Sequence, residues 1–209
     1  MNIKSVCAAA CIGIALWMPF TVQADSPLTS TYFATSYYSY EIVGAAEKSG
    51  ALTDEIAAYL LDNKNPVDVK AAVVNALGWS YDGRANAEVF KAYLAKKYNA
   101  SATSLNLNSL RDDELMCLGY MMAMDNYFVV DDAIEVLDKA IARDTKSFTI
   151  HMIHALVSAQ KAMDTDWCMV WKLTAQVLQN DTLFRDLKTA ATQTIVDYMI
   201  LYKSDCGDM

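Results

Sequence analysis

The two histidines of the chain stand one helical turn apart in "HMIH", as His151 and His154. On a helix, that spacing can present two imidazoles to one metal ion, provided carboxylates complete the ligand set. Laying this stretch over "LRDDELMCLGYM" (110–121) puts His151 in register with Asp113. Helices packed side by side run ~8–10 Å apart, so Asp113 could approach His151. One candidate is therefore a small metal-dependent or ligand-binding site around His151, His154 and Asp113. The opposing reading is a pair of imidazoles that bond locally on a wet surface, because no His-Glu-x-x-His pattern accompanies them. The sequence calls for no cofactor. Ser158 follows His154 by four residues, yet no strained elbow or oxyanion hole marks it as a nucleophile. No glycine-rich phosphate loop occurs. The pairs Asp112-Asp113 and Asp131-Asp132 fall at expected helix starts, where the helix dipole accounts for them. No residue is assigned a catalytic role, and the chain is expected to be non-catalytic.

The opening "MNIKSVCAAACIGIALWMPFTVQADSP" places Lys4 before an apolar run (6–20) and small residues at Val22-Gln23-Ala24. This is the pattern of a signal peptide over 1–24, leaving a single helical-repeat domain over 25–209 that is exported, periplasmic or secreted. A membrane anchor would need roughly 20 apolar residues. This run is shorter and contains Pro19, so no integral membrane segment is expected after cleavage. With 17 basic and 25 acidic residues the net charge is −8. That balance repels phosphate backbones and excludes nucleic acid as a partner. Beyond residue 24 lie Cys117, Cys168 and Cys206, in a compartment where disulfides persist. Cys168 begins one expected helix and Cys206 follows the end of its antiparallel partner, so the two ends should meet in a Cys168–Cys206 bridge. Three reduced thiols are the alternative. Cys117 sits in an apolar column as a small core residue.

These residues must be held by helices. Alanine, leucine and methionine are abundant and hairpin signals are absent. In "NPVDVKAAVVNALGWS" (65–80), Asn65 is an expected cap, Pro66 suits the first helical position, and Asp68 suits the first turn. Val69, Val73, Ala76 and Leu77 share one face. Thr53 is expected to cap the preceding helix, with Ile56, Leu60 and Leu61 as its apolar stripe. Segments 69–80, 110–121, 148–159 and 187–198 align at steps of about 40 residues, and each follows a helical partner (53–62, 87–98, 131–142, 167–179). Ser109 is the expected cap of the helix over 110–121. Residues 29–50 are expected to form one N-terminal helix, with Phe33, Tyr37 and Tyr40 on one face and Gly50 as its stop. Trp167 and Trp171 fall on a stripe with Val170, Thr174 and Leu178 and are expected in the core.

The stretch "DEIAAYLLDNKNPVDVKAAVVNALG" (54–78) resembles a HEAT repeat in its helix, its Asp/Asn/Pro turn and its Ala-Leu-Gly end. Leu110-Arg111 and Leu118-Gly119 echo it, and "DDAIEVLDKAIARDTKSF" (131–148) looks more like a tetratricopeptide helix. The resemblance implies an all-α, right-handed α-solenoid of about four antiparallel helical hairpins plus an N-terminal capping helix. A globular helical bundle without true repeats is the alternative. In a solenoid, columns beside the core stripe form a wall. Asn75, Trp79, Asp113, Met116, Tyr120, His151, His154 and Gln193 are the candidate partner-binding residues on that wall. The function so implied is an exported binding or scaffold protein that holds a protein or peptide partner. A structural or oligomerising module is the further alternative, favoured if the aromatic columns are buried.

Overall fold

The computed structural model describes residues 25–80, 84–143 and 145–207. The expected signal peptide (1–24) lies outside these. Among the described residues the chain is all-α, with ten α-helices and no named strand. They are α1 (Pro27–Ser30), α2 (Glu41–Ser49), α3 (Asp54–Leu61), α4 (Val67–Leu77), α5 (Asn86–Lys97), α6 (Asp112–Asp125), α7 (Asp131–Ile141), α8 (Phe148–Ala162), α9 (Trp167–Gln179) and α10 (Thr189–Met199). Short 3-10 segments at Ala34–Tyr37, Leu107–Ser109 and Ile200–Cys206 join them. None of the described helices is long and apolar enough to cross a membrane.

The helices start where side chains satisfy their free amides. The Thr53 hydroxyl accepts from the Ile56 amide, as expected of a cap. Two expected caps are corrected. α4 begins at Val67 after Pro66, and the Asn65 side chain instead donates to the Tyr59 carbonyl. α6 begins after Arg111, whose amide donates to the Glu114 carboxylate; Ser109 lies in the 3-10 turn before it and bonds the Asn106 carbonyl. In both places the chain reverses one or two residues later than propensity alone suggests. At α8, Ser147 accepts from the Ile150 amide while Asp186 takes the Thr149 amide.

At the centre, α4, α6 and α8 pack on one another. Residues Val69 to Leu77 of α4 are all buried, as are Glu114 to Met121 of α6. A helix covered on every side cannot show a one-sided apolar stripe. Around this centre, α2 packs on α4, α7 on α6, and α9 on α8. The α6–α7 approach is close because position 119 is glycine. A Cβ there would lie 2.7 Å from Leu137 Cγ and 3.0 Å from the Ala133 carbonyl oxygen. α10 rests on α9, on the Ile200–Cys206 segment and on the N-terminal segment.

The expected single helix over 29–50 is replaced by α1, the Ala34–Tyr37 turn and α2, which ends at Gly50 in the left-handed conformation (φ 60°). Phe33 and Tyr37 are fully buried and Tyr40 is exposed, so the three do not share one covered face. This segment does not cap one end of a row. It lies across the centre, with α1 against α8 and α10 and the Ala34–Tyr37 turn against α4 and α10. The bends place backbone amides and carbonyls where α4 can bond them, which a continuous helix could not do.

Trp167 is also corrected. It is 55% exposed at the first position of α9, its indole N–H donating to the Met163 carbonyl, while Val170 and Thr174 are buried as expected. Cys168 and Cys206 form a disulfide, with Cα atoms 4.6 Å apart, and Cys117 is free and fully buried. Burial pushes the Cys117 thiol far above its ordinary pKa, so it stays protonated and inert.

Candidate functional site

The structure separates the three residues of the metal candidate. Asp113 faces Lys70 on α4 and is gripped by Arg111, whose Nε and Nη2 each donate at 2.9 Å. His151 Nε2 lies 3.0 Å from the Thr145 carbonyl, and His154 Nε2 lies 2.7 Å from Asp138 Oδ1 on α7. With Asp113 held by two cations and the histidines bonded apart, they do not form one ligand set. Among the described residues no group of three or more His, Cys, Asp or Glu could hold a metal ion.

Asp113 belongs instead to a buried charge cluster. Lys70 and Glu114 are both fully buried. Glu114 accepts from Lys97 Nζ (2.6 Å), Arg111 Nη1 (2.8 Å) and the Tyr98 hydroxyl (2.6 Å). Lys97 and Arg111 also donate to the Leu61 carbonyl, which ties the end of α3 to the end of α5 and the start of α6. Burial alone would raise the Asp113 carboxyl. The hydrogen bonds and charges of Arg111 and Lys70 outweigh that and hold it below the usual carboxylate range. Burial and the bond to Glu114 push the Tyr98 phenol up to about 12. Every charge here has an opposite partner, so the cluster positions α3, α4 and α6 and leaves no group free for a substrate.

The expected wall is mostly interior. Asn75, Met116 and Tyr120 are buried to within 1%, which corrects their assignment to an exposed strip. The covering element is the N-terminal segment. Asn75 Oδ1 accepts from the Ala34 amide (2.9 Å), and its Nδ2 donates to the Thr31 carbonyl (3.3 Å) and the Tyr120 hydroxyl (2.9 Å). Lys188, just before α10, closes the other side: its amide donates to the Tyr37 hydroxyl and its ammonium to the Ser36 carbonyl. Trp79 is half-buried, edge-on to Tyr127 with ring centroids 5.3 Å apart. Asp113, His151 and His154 are half-buried, and Gln193 alone of the eight is exposed. Asn75→Ala would strand the buried Ala34 amide and Tyr120 hydroxyl. We expect a loss of about 1–3 kcal/mol, read as a lower urea midpoint at unchanged slope.

An open concavity lies between α2 and α3, with a volume of about 680 Å³. Tyr40 and Tyr59 supply aromatic surface, Ile42 and Ala58 aliphatic surface, and Glu41, Glu55 and Asp62 carboxylates. None of the lining residues is basic. Burial, with the Tyr40 phenol and Asp68 nearby, pushes the Tyr59 hydroxyl above its ordinary value, so it remains a neutral donor. Sequence reasoning missed this groove because its residues come from two helices and the turn after α3. The one available signal was the exposed polar face of "DEIAAYLLDN", which reads as ordinary solvation.

No family model, no curated protein and no solved structure matches this chain.

Proposed function

We propose that the chain is an exported, non-catalytic binding protein that holds a protein or peptide partner in the α2–α3 groove. The observation that carries this reading is the groove itself: an open concavity with two tyrosines and three carboxylates that make no ion pair among the described residues. Concave surfaces that combine aromatic anchors with a polar rim are where recognition concentrates. Export is supported by the signal-peptide pattern at 1–24 and by the Cys168–Cys206 disulfide, which persists in oxidising compartments. The architecture is read as HEAT-like hairpins in one domain over 25–209. Its support is the packing of α5 on α6 and of α7 on α8 as hairpins, and the contact of α6 with α4 before it and α8 after it.

A photo-crosslinking amino acid placed at Ala58, which is exposed in the groove, tests this against one placed at Gln193. Polypeptide adducts from position 58 and none from 193, in cells that export the protein, are expected. Equal yields, or none from 58, would contradict the assignment.

A second reading, a structural or oligomerising module, draws on the burial of Tyr120 and Met116 and on exposed apolar side chains elsewhere. Phe128 and Val129 are 66% and 63% exposed on the α6–α7 loop, backed by Tyr127. Sedimentation across a hundredfold concentration range separates the two: a constant monomer mass favours partner binding, and a mass rising to a dimer that Phe128→Ser abolishes favours self-association.

A further inference from the structure

We infer that the α2–α3 groove selects a cationic side chain, the lysine or arginine of an extended polypeptide segment, held against Tyr40 and Tyr59 with its charge facing Glu41, Glu55 and Asp62. This rests on the groove being the binding surface and adds the chemistry of the occupant. Three observations carry it. First, the charge is uncompensated. In the buried cluster each carboxylate is matched by two cations: Asp113 by Lys70 and Arg111, Glu114 by Lys97 and Arg111. The carboxylates of the groove have no such partner among the described residues, and Asp62 spends one oxygen only on the Lys64 backbone amide.

Second, the aromatic surface at this end of the molecule already holds a cation. The Lys188 ammonium stands 4.4 Å from the Tyr37 ring centroid and 5.1 Å from that of Tyr40. Tyr37 and Tyr40 are themselves neighbours, with centroids 6.3 Å apart. Phenol faces attract ammonium and guanidinium groups through the ring quadrupole. Tyr40 therefore lies between an internal cation that it contacts and an acidic groove that lacks one.

Third, the shape suits a side chain on a strand of polypeptide better than a deep-bound small molecule. The groove is open, and Ile42 and Ala58 offer aliphatic surface for the stem of a lysine or arginine beside the carboxylates that would meet its head. The molecule as a whole carries −8, so association with a basic segment is also steered at long range and weakened by salt.

The test is a set of 12-residue synthetic peptides, identical except at the central position, which is arginine, lysine, citrulline or glutamate. They are titrated against the full chain and against a Glu41→Gln, Glu55→Gln, Asp62→Asn variant. At low ionic strength the arginine and lysine peptides should bind at least about tenfold more tightly than the citrulline peptide, a difference of about 1.4 kcal/mol. The glutamate peptide should not bind. The variant should lose that preference while keeping its circular dichroism and urea midpoint, and a Tyr59→Leu variant should weaken the cationic peptides more than citrulline. Peptides that bind the groove alike whatever the central charge would overturn the cation assignment and leave the groove as a binding surface. A full set that fails to bind would overturn both.

Discussion

Asp113→Ala should destabilise the fold by about 3–5 kcal/mol, the largest effect expected of any single polar substitution here. Lys70 is fully buried, and its one partner among the described residues is Asp113. Truncating that carboxylate leaves an ammonium in the interior without a counter-charge and frees the Arg111 guanidinium from its two bonds. Lys70→Met should cost markedly less, because it removes the buried charge together with its need for a partner and leaves Asp113 held by Arg111. The order of the two variants in urea denaturation is the informative result. A Lys70→Met that matches or exceeds Asp113→Ala would mean that the pair does not act as a buried charge and its counter-ion. The pH dependence has a defined sign. The Asp113 carboxyl is lowered in the folded state, so its contribution is present above its unfolded pKa of about 3.9 and is lost as pH falls through the lower folded value. The wild-type chain should lose stability in that acid range more steeply than Asp113→Ala does.

Cys168→Ser with Cys206→Ser is the second large effect. The bridge closes a separation of 38 residues spanning α9, α10 and the final 3-10 segment. On the chain-entropy account such a loop is worth about 3–4 kcal/mol. Among the described residues α10 rests chiefly on α9, the 3-10 segment and the N-terminal segment, and Ile200 and Leu201 after it are exposed. We expect a thermal midpoint lower by roughly 10 °C or more, with hydrogen exchange rising first in α10. Unchanged midpoints in the oxidised wild type and the double variant would show that the terminal unit is held without the bridge. Because α10 meets the Ala34–Tyr37 turn, looser protection of that turn should follow.

Helix positions were readable from the chain because capping and periodicity are local: α9 spans residues 167–179 as expected, and α7 and α8 begin at Asp131 and Phe148. The cysteine pair was readable because the ends of adjacent antiparallel elements meet. The covering of the central face was not. Asn75 was placed on an exposed wall because its column lies beside the core stripe. Its partners, the Ala34 amide and the Thr31 carbonyl, lie 41 and 44 residues away. Nothing local marked Lys70 or Glu114 as buried, since each has a counter-charge on another helix. The aligned columns identified which residues share a face, and they could not say whether solvent or the chain itself lies on it. The register of His151 with Asp113 was likewise an alignment property. Arg111, two residues before Asp113, had the shorter reach and took the carboxylate.

The account turns on the N-terminal segment lying as core across α4, α8 and α10, which sends recognition to the α2–α3 groove. Residue-resolved hydrogen exchange of the Ala34 amide tests this most directly, since that amide is donated to the Asn75 side chain inside the protein. Protection equal to that of the α4 amides, lost selectively in Asn75→Ala, is the predicted result. Exchange of Ala34 at the rate of an exposed peptide, with α4 still protected, would contradict it and return the face of Asn75, Met116 and Tyr120 to the surface.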